Sequence, residues 1–178
     1  DTLDGGTGRD FLDGGTGADT MTGGEGFDTF VAGDGDKITD FNIAGGQNIR
    51  NNSQFDNDFV DLSGYYNEAN LALINQARAA SGQPEYGNPL AWLRGDQADG
   101  VLNDLQGQTV GGTALPSFNF TIQTGGTKVA GGDLTHDNTN VLCFGADALI
   151  RADGAEVAAG DLAVGDLVAT VDAGLQPI

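Results

Sequence analysis

The feature that most constrains this chain is a nine-residue period close to its amino terminus. From Gly5 the sequence reads GGTGRDFLD, GGTGADTMT and GGEGFDTFV, and a fourth block, AGDGDKITD, keeps the pattern only in part. Three consecutive blocks match G-G-x-G-x-D-x-U-x, in which the large apolar residue U is Leu12, Met21 or Phe30. Residues 1–4 form the tail of an earlier block. A short fixed period is typical of a solenoid whose rungs stack on one another.

Each block divides into a six-residue glycine loop and a three-residue strand. Glycine adopts positive φ angles without steric cost, which lets backbone carbonyls point into a loop. The apolar residue of each strand faces a narrow core, and two blocks complete one turn, so loops two blocks apart stack along the same edge. A single GGxGxD motif fits a disordered acidic linker equally well, but three motifs in register favour the stacked structure.

The charge balance indicates the kind of partner. The chain has 26 acidic and 7 basic residues, a net charge of −19, and only four of the acids are Glu. Nucleic acids and anionic membrane surfaces are bound by clustered Lys and Arg, so this balance argues against both as partners. It favours cations. Calcium takes six to eight oxygen ligands and accepts carbonyls as readily as carboxylates, and stacked Gly/Asp loops offer both.

The repeats resemble those of the repeats-in-toxin (RTX) family, which form a parallel β-roll with calcium between loops on the same side. In that family one loop gives its second and fourth carbonyls and its Asp, and the loop two blocks later gives its first and third carbonyls and its Asp. The resemblance implies one ion held by Gly6, Gly8, Asp10, Gly23, Glu25 and Asp28. On the other edge it implies an ion held by Asp1, Gly14, Thr16 and Asp19. A third would lie between Gly15, Gly17 and Asp19 and the degraded block, in which Asp36 is the expected substitute.

Calcium is expected to decide whether the repeats are ordered. Loop carboxylates stacked at close range repel one another. The small core that contains Leu3, Leu12, Met21 and Phe30 cannot by itself offset the backbone entropy lost on folding. We therefore expect a coil without calcium and a β structure with it.

The middle of the chain predicts a different architecture. Residues 42–63 lose the period and are interpreted as a cap on the open end of the roll. Residues 64–142 are predicted to be α+β, with a helix over 67–80, a second short helix that opens at Asn88-Pro89, and a strand over 118–122 before a Gly-Gly turn. The aromatic residues Tyr65, Tyr66, Tyr86 and Trp92 are interpreted as core, with a sugar- or partner-binding face as the alternative.

The carboxy-terminal segment contains the chain's single cysteine, Cys143. It reads CFGADALIRADGAEVAAGDLAVGDLVATV and resembles the first block of the Hedgehog/intein (Hint) family. The resemblance implies an all-β fold and a self-cleavage reaction in which the Cys143 thiol attacks the carbonyl of Leu142. Residues 143–178 cover only the start of a Hint fold, and no His follows Cys143, so we expect cleavage only in an intact parent.

Taken together, the sequence predicts a mainly β chain of mixed class. Its parts are a calcium-binding β-roll over 1–41, a cap over 42–63, an α+β module over 64–142 and an incomplete Hint domain over 143–178. We expect a protein secreted to the extracellular space that extends upstream, because residue 1 falls in mid-repeat. No apolar run is long enough to span a bilayer.

Three functions fit this organisation. The first is a calcium-binding structural or presentation module that precedes a self-cleaving domain, with self-assembly or a cell-surface partner left open. The second is autoprocessing at Leu142–Cys143 in the intact parent. The third is the trailing part of an RTX-type secreted hydrolase, although the chain has no HExxH or GxSxG motif and no complete catalytic site.

Overall fold

The computed structural model describes residues 1–41, 46–48 and 55–142, together with the backbone of four strands between residues 149 and 177. The chain divides into two compact units, Asp1–Cys143 and Phe144–Ile178. Part of the predicted cap and the predicted nucleophile Cys143 lie outside the described residues.

The repeats of the first unit form two parallel sheets. Strands β1 (Thr2–Gly8), β3 (Thr20–Gly26) and β5 (Lys37–Ile38) pair in one sheet, and strands β2 (Phe11–Asp13), β4 (Thr29–Val31) and β6 (Phe59–Val60) pair in the other. The register places Met21 beside both Leu3 and Ile38 in the first sheet, and Phe30 beside both Leu12 and Val60 in the second. These six paired side chains, Leu3 only in part, pack into one core. The nine-residue period therefore sets the core of the roll.

One edge of the roll differs from a plain alternation of strand and loop. The ladder between β1 and β3 continues past the apolar residues into the glycines, through the pairs Gly6↔Gly24 and Gly8↔Gly26. A Cβ at Gly24 would meet the carbonyl oxygen of Gly6, and one at Gly26 would meet that of Gly8. Glycine is required here because the two backbones lie too close for any side chain.

The central segment packs its helices around an aromatic core. Helix α1 (Glu68–Ala80) begins after Asn67, whose side chain accepts a hydrogen bond from the Asn70 backbone N–H. Helix α2 (Pro89–Asp96) begins after Asn88 in the same way, as predicted, and a third helix, α3, spans His136–Thr139. Tyr65, Tyr66 and Trp92 are buried, and Tyr86 packs partly buried against them. This confirms the interpretation of the aromatic residues as core.

Two hairpins complete the central segment, and one of them extends the roll. Strands β7 (Thr109–Val110) and β8 (Thr113–Ala114) form the first hairpin, and β9 (Thr121–Thr124) and β10 (Thr127–Lys128) form the second. Strand β9 pairs in parallel with β5, so the first sheet of the roll runs on into the central segment.

The predicted strand over 118–122 is wrong in its bounds. The strand begins at Thr121, while Phe118 stacks on Tyr65 with ring centroids 4.6 Å apart. Phe120 forms only an isolated bridge with Leu102. Aromatic packing thus takes the first residues of the alternating run out of the ladder.

The second unit is an antiparallel sheet. It contains β11 (Leu149–Ala152), β12 (Ala155–Ala158), β13 (Leu167–Thr170) and β14 (Gly174–Pro177), in the order β12-β11-β13-β14. The described residues therefore form a mixed structure dominated by strands, with a parallel-stranded roll and few helices. None of the described helices has the length and hydropathy of a membrane span.

Candidate metal centre

The glycine loops share one backbone conformation. The second and fourth residues of each complete loop have positive φ angles: Gly6 94°, Gly8 119°, Gly15 79°, Gly17 117°, Gly24 98° and Gly26 140°. We call the edge with the loops at 5–10 and 23–28 the first edge, and the edge with the loops at 14–19 and 33–36 the second edge. On the first edge, the carbonyl oxygens of Gly6 and Gly8 face the next loop, as the contacts at Gly24 and Gly26 show. On the second edge, the carbonyl oxygens of Gly15 and Gly17 each lie 3.7 Å from the Cβ position of Gly33 and Gly35. Both edges therefore present carbonyl oxygens to the gap between stacked loops.

Aspartates link the loops of each edge through backbone hydrogen bonds. On the first edge, the Asp10 N–H donates to Asp28 Oδ1 at 2.9 Å. On the second, the Asp19 N–H donates to Asp36 Oδ1 at 2.9 Å, and the Asp1 backbone nitrogen donates to Asp19 Oδ1. One carboxylate oxygen of each acceptor is thus fixed by the neighbouring rung.

The other carboxylate oxygens of the three regular repeats have a different environment. Among the described residues, Oδ2 of Asp10, Asp19 and Asp28 is buried and has no hydrogen-bond partner. The side chains of Asp19 and Asp28 are 2% and 1% exposed. A buried carboxylate oxygen costs roughly 1–3 kcal/mol or more unless a cation or a hydrogen-bond donor meets it. These oxygens therefore fit a bound cation.

The electrostatics of Asp28 agree with this geometry. Burial raises the pKa of Asp28, and the nearby carboxylates of Asp10 and Asp40 raise it further. The hydrogen bond from the Asp10 N–H and the charge of Arg9 act in the opposite direction without cancelling the increase in pKa. A divalent cation in the gap would neutralise the repulsion that raises the pKa.

The residues predicted to hold the first ion lie around one gap. The Gly23 carbonyl oxygen is 2.7 Å from the Cβ position of Gly5, and Asp10 Oδ2 is 2.9 Å from the same position. The Gly6 and Gly8 carbonyl oxygens face Gly24 and Gly26 of the stacked loop, and Asp28 Oδ1 accepts a hydrogen bond from the Asp10 N–H. Glu25 lies opposite Thr7 in the register, and its side chain is exposed, so it would contribute only its backbone carbonyl.

On the second edge, fewer of the predicted ligands lie close to one another than on the first edge. The Cβ position of Gly14 lies 2.8 Å from Asp36 Oδ2 and 3.3 Å from Asp19 Oδ2. Thr16 is exposed in the same loop. Asp36 differs from the regular aspartates because its Oδ2 accepts a hydrogen bond from the Gly33 N–H at 2.7 Å. The degraded block thus keeps the hydrogen bond between stacked aspartates, but the second carboxylate oxygen of Asp36 is already hydrogen-bonded within the block.

Two aspartates at the first edge were missed by sequence reasoning. The carboxylate of Asp40 accepts hydrogen bonds from the N–H groups of Gly23 and Gly24, at 2.9 and 2.7 Å. Asp58 Oδ1 accepts a hydrogen bond from the Asp28 N–H at 3.1 Å. The signal for Asp58 was present, since residues 58–61 read D-F-V-D and match D-x-U-x, but an insertion hides it from a search at fixed period.

Among the described residues, no three His, Cys, Asp or Glu side chains converge as a metal cluster. Instead of such a cluster, the loops present two carboxylates and several backbone carbonyls between each pair of stacked loops. Calcium accepts such a set because it takes carbonyl oxygens as ligands. The donor chemistry is all oxygen, which suits a hard cation and not a soft one.

Comparison with known protein families agrees with this donor set. The model of the RTX calcium-binding nonapeptide repeat (4 copies) matches residues 1–30. These residues are RTX nonapeptide repeats, and such repeats bind calcium. No curated protein and no solved structure gives a significant match to the chain.

Proposed function

We propose that this chain is a secreted structural module in which calcium, bound between stacked glycine/aspartate loops, orders the roll and positions the segments that follow it. The observation that supports this most directly is the set of three buried, unpartnered Oδ2 atoms on Asp10, Asp19 and Asp28. They recur once per repeat, at the positions where the RTX family holds calcium, and the Oδ1 atoms of Asp19 and Asp28 are hydrogen-bonded.

The proposed ligands follow from the loops. One ion is held by the carbonyls of Gly6, Gly8, Gly23 and Glu25 with the carboxylates of Asp10 and Asp28. On the second edge, one ion uses Asp1, Gly14, Thr16 and Asp19, and another uses Gly15, Gly17, Asp19 and Asp36. When bound, calcium supplies the positive charge that the buried carboxylates lack, and no reaction step is required of it.

The energetic role of the ion follows from mass action. A ligand that binds only the folded state stabilises it by about 2.7 kcal/mol per site at a hundredfold excess over the dissociation constant. A domain of this size is stable by only about 5–15 kcal/mol, so a few sites are comparable to the whole stability. Calcium is millimolar outside cells, and we therefore place the ordered state of the module there.

Calorimetric titration of calcium into the chelator-treated chain tests this function. We expect saturable binding of more than one calcium ion, with magnesium in a parallel titration binding far more weakly because it demands a small octahedral site. An absence of calcium binding at millimolar concentration would refute the proposal.

As a second function, we propose autoprocessing in an intact parent. The first compact unit ends at Cys143, and the described part of the second unit is an antiparallel sheet, which is compatible with the all-β fold that the Hint resemblance implies. At the junction, the Leu142 carbonyl accepts a hydrogen bond from the Leu90 N–H at 3.0 Å. In a parent with a full Hint domain, Cys143→Ala should abolish cleavage at Leu142–Cys143, and cleavage that persists would exclude Cys143 as the nucleophile.

A further inference from the structure

The first edge of the roll continues beyond the residues that carry the repeat. Phe59 in β6 pairs with Thr29 in β4 as Thr29 pairs with Phe11 in β2. The Phe59 N–H donates to the Asp28 carbonyl at 2.8 Å, just as the Thr29 N–H donates to the Asp10 carbonyl at 2.9 Å. In backbone terms, residues 58–60 are a further rung of the second sheet.

Asp58 holds the aspartate position of that rung. The Asp28 N–H donates to Asp58 Oδ1 at 3.1 Å, which repeats the bond from the Asp10 N–H to Asp28 Oδ1 at 2.9 Å. Asp58 is 3% exposed, so it is about as buried as Asp19 and Asp28 of the regular repeats. Asp10 and Asp28 are 18 residues apart, whereas Asp28 and Asp58 are 30 apart. The insertion between them leaves the ladder intact.

The loop below this rung offers the other ligands. Gly24 and Gly26 have the positive φ angles of Gly6 and Gly8, whose carbonyls face the next loop. Asp28 Oδ2 is buried, has no hydrogen-bond partner within the described part of the chain and lies inside the same loop, against Gly23. The Asp40 carboxylate adds negative charge above Gly23.

We propose that Asp58 is a ligand of an additional calcium ion, held above the 23–28 loop with the Asp28 carboxylate and the Gly24 and Gly26 carbonyls. This inference rests on the proposed calcium-binding function, and it extends that function to residues outside the matched repeats. Two buried carboxylates stacked along one edge repel each other, and a cation that binds both removes the repulsion and offsets the cost of their burial.

This site would make the order of the central segment depend on calcium. Two residues after β6, the Leu62 N–H donates to the Thr139 carbonyl at 2.9 Å, and the Leu62 carbonyl accepts bonds from the Tyr65 and Tyr66 N–H groups. Tyr66 packs on Trp92 with ring centroids 4.5 Å apart. Calcium at Asp58 therefore fixes the strand from which the aromatic core of the central segment begins.

The test compares Asp58→Asn with Glu85→Gln in the full chain by calorimetric titration of calcium. Asparagine keeps an oxygen that accepts the Asp28 N–H, so the ladder survives while the anionic ligand is lost. Glu85 is exposed, and Glu85→Gln makes the same charge change away from the roll. We expect Asp58→Asn to bind one calcium ion fewer than the unaltered chain and Glu85→Gln to bind the same number.

The outcomes separate the two proposals. If the unaltered chain binds no calcium, the proposed function fails and this site fails with it. If the unaltered chain binds calcium and Asp58→Asn binds the same number with the same affinity, only the additional site is refuted. Should Asp58→Asn fail to fold in calcium, amide exchange in the unaltered chain decides. Protection of the Phe59 N–H that rises in calcium to the level of the Thr29 N–H supports the site, and Phe59 protection that stays unchanged while Thr29 protection rises overturns it.

Discussion

Replacing Asp28 with asparagine should separate the proposed calcium-binding role of this side chain from its hydrogen bonds. The asparagine side chain would retain an oxygen for the Asp10 N–H, and the backbone N–H of the same residue would still reach Asp58, so the 2.9 and 3.1 Å bonds survive. Only the charge and the unpartnered Oδ2 are lost. Glu25→Gln is the matched control, because Glu25 lies in the same loop with an exposed side chain and keeps its backbone carbonyl.

The magnitude follows from the number of gaps that Asp28 lines. Loss of one site at a hundredfold excess of calcium over the dissociation constant lowers the free energy of unfolding by about 2.7 kcal/mol, and loss of two sites by about 5 kcal/mol. Glu25→Gln should change it by no more than about 0.5 kcal/mol, as is usual for exposed positions. In chelator, where the roll is expected to be a coil, Asp28→Asn should leave the stability of the chain unchanged, because no calcium site is filled there.

Urea unfolding in saturating calcium and in chelator measures these differences. Trp92, the only tryptophan, is fully buried in the same compact unit and reports its unfolding through fluorescence. Far-ultraviolet circular dichroism follows the roll in parallel. Equal effects of Asp28→Asn and Glu25→Gln in calcium, or an equal loss for Asp28→Asn with and without calcium, would refute a ligand role for Asp28.

Three further predictions concern the backbone, the core and pH. Gly24→Ala should lower the free energy of unfolding, measured in urea, by more than Gly6→Ala does. Both substitutions place alanine at a positive φ, which costs about 1–2 kcal/mol each. Only at Gly24 does the new Cβ also meet backbone atoms, which adds about 1–3 kcal/mol. Met21→Ala should lower the free energy of unfolding by about 2–5 kcal/mol, because Met21 is fully buried between two rungs. Burial raises the pKa of Asp96 from 3.8 to about 6, so the folded state keeps a proton that the unfolded state loses. The stability contributed by Asp96 should therefore fall by roughly 3 kcal/mol as pH rises from about 4 to about 6 and stay constant above that, a fall that Asp96→Asn removes.

Each of these predictions has a result that contradicts it. Equal losses at Gly24 and Gly6 would show that the two loops are not in backbone contact. A change below about 1 kcal/mol for Met21→Ala would place this side chain outside a packed core. For Asp96, unfolding is measured at several pH values in saturating calcium, and parallel curves for the unaltered chain and Asp96→Asn would mean that the folded state does not hold the proton.

The sequence predicts the regular part of this structure because that part is periodic. Leu12, Met21 and Phe30 recur at a fixed spacing, and the same spacing sets the strand register and the positions of the regular aspartates. Helices α1 and α2 were predictable for a local reason, since Asn67 and Asn88 cap them through side-chain hydrogen bonds. Local signals and a short repeat are both visible in a single sequence.

The remainder depends on contacts between distant residues. No local pattern shows that β9 pairs with β5, because Ile122 and Ile38 meet only after the central segment has folded back onto the roll. The hydrogen bond between the Asp28 N–H and Asp58 was hidden in the same way by the insertion that breaks the period. Phe118 leaves its predicted strand to stack on Tyr65, a choice that tertiary packing makes over strand propensity.

Far-ultraviolet circular dichroism of the full chain during a calcium titration tests the central claim most directly. The buried carboxylates of both edges repel one another unless a bound cation neutralises their charge. We therefore expect a coil-like spectrum in chelator. That spectrum should convert cooperatively to a β spectrum as calcium reaches the millimolar range, and chelator should reverse the change. A β spectrum of the same intensity in chelator and in calcium would contradict the account.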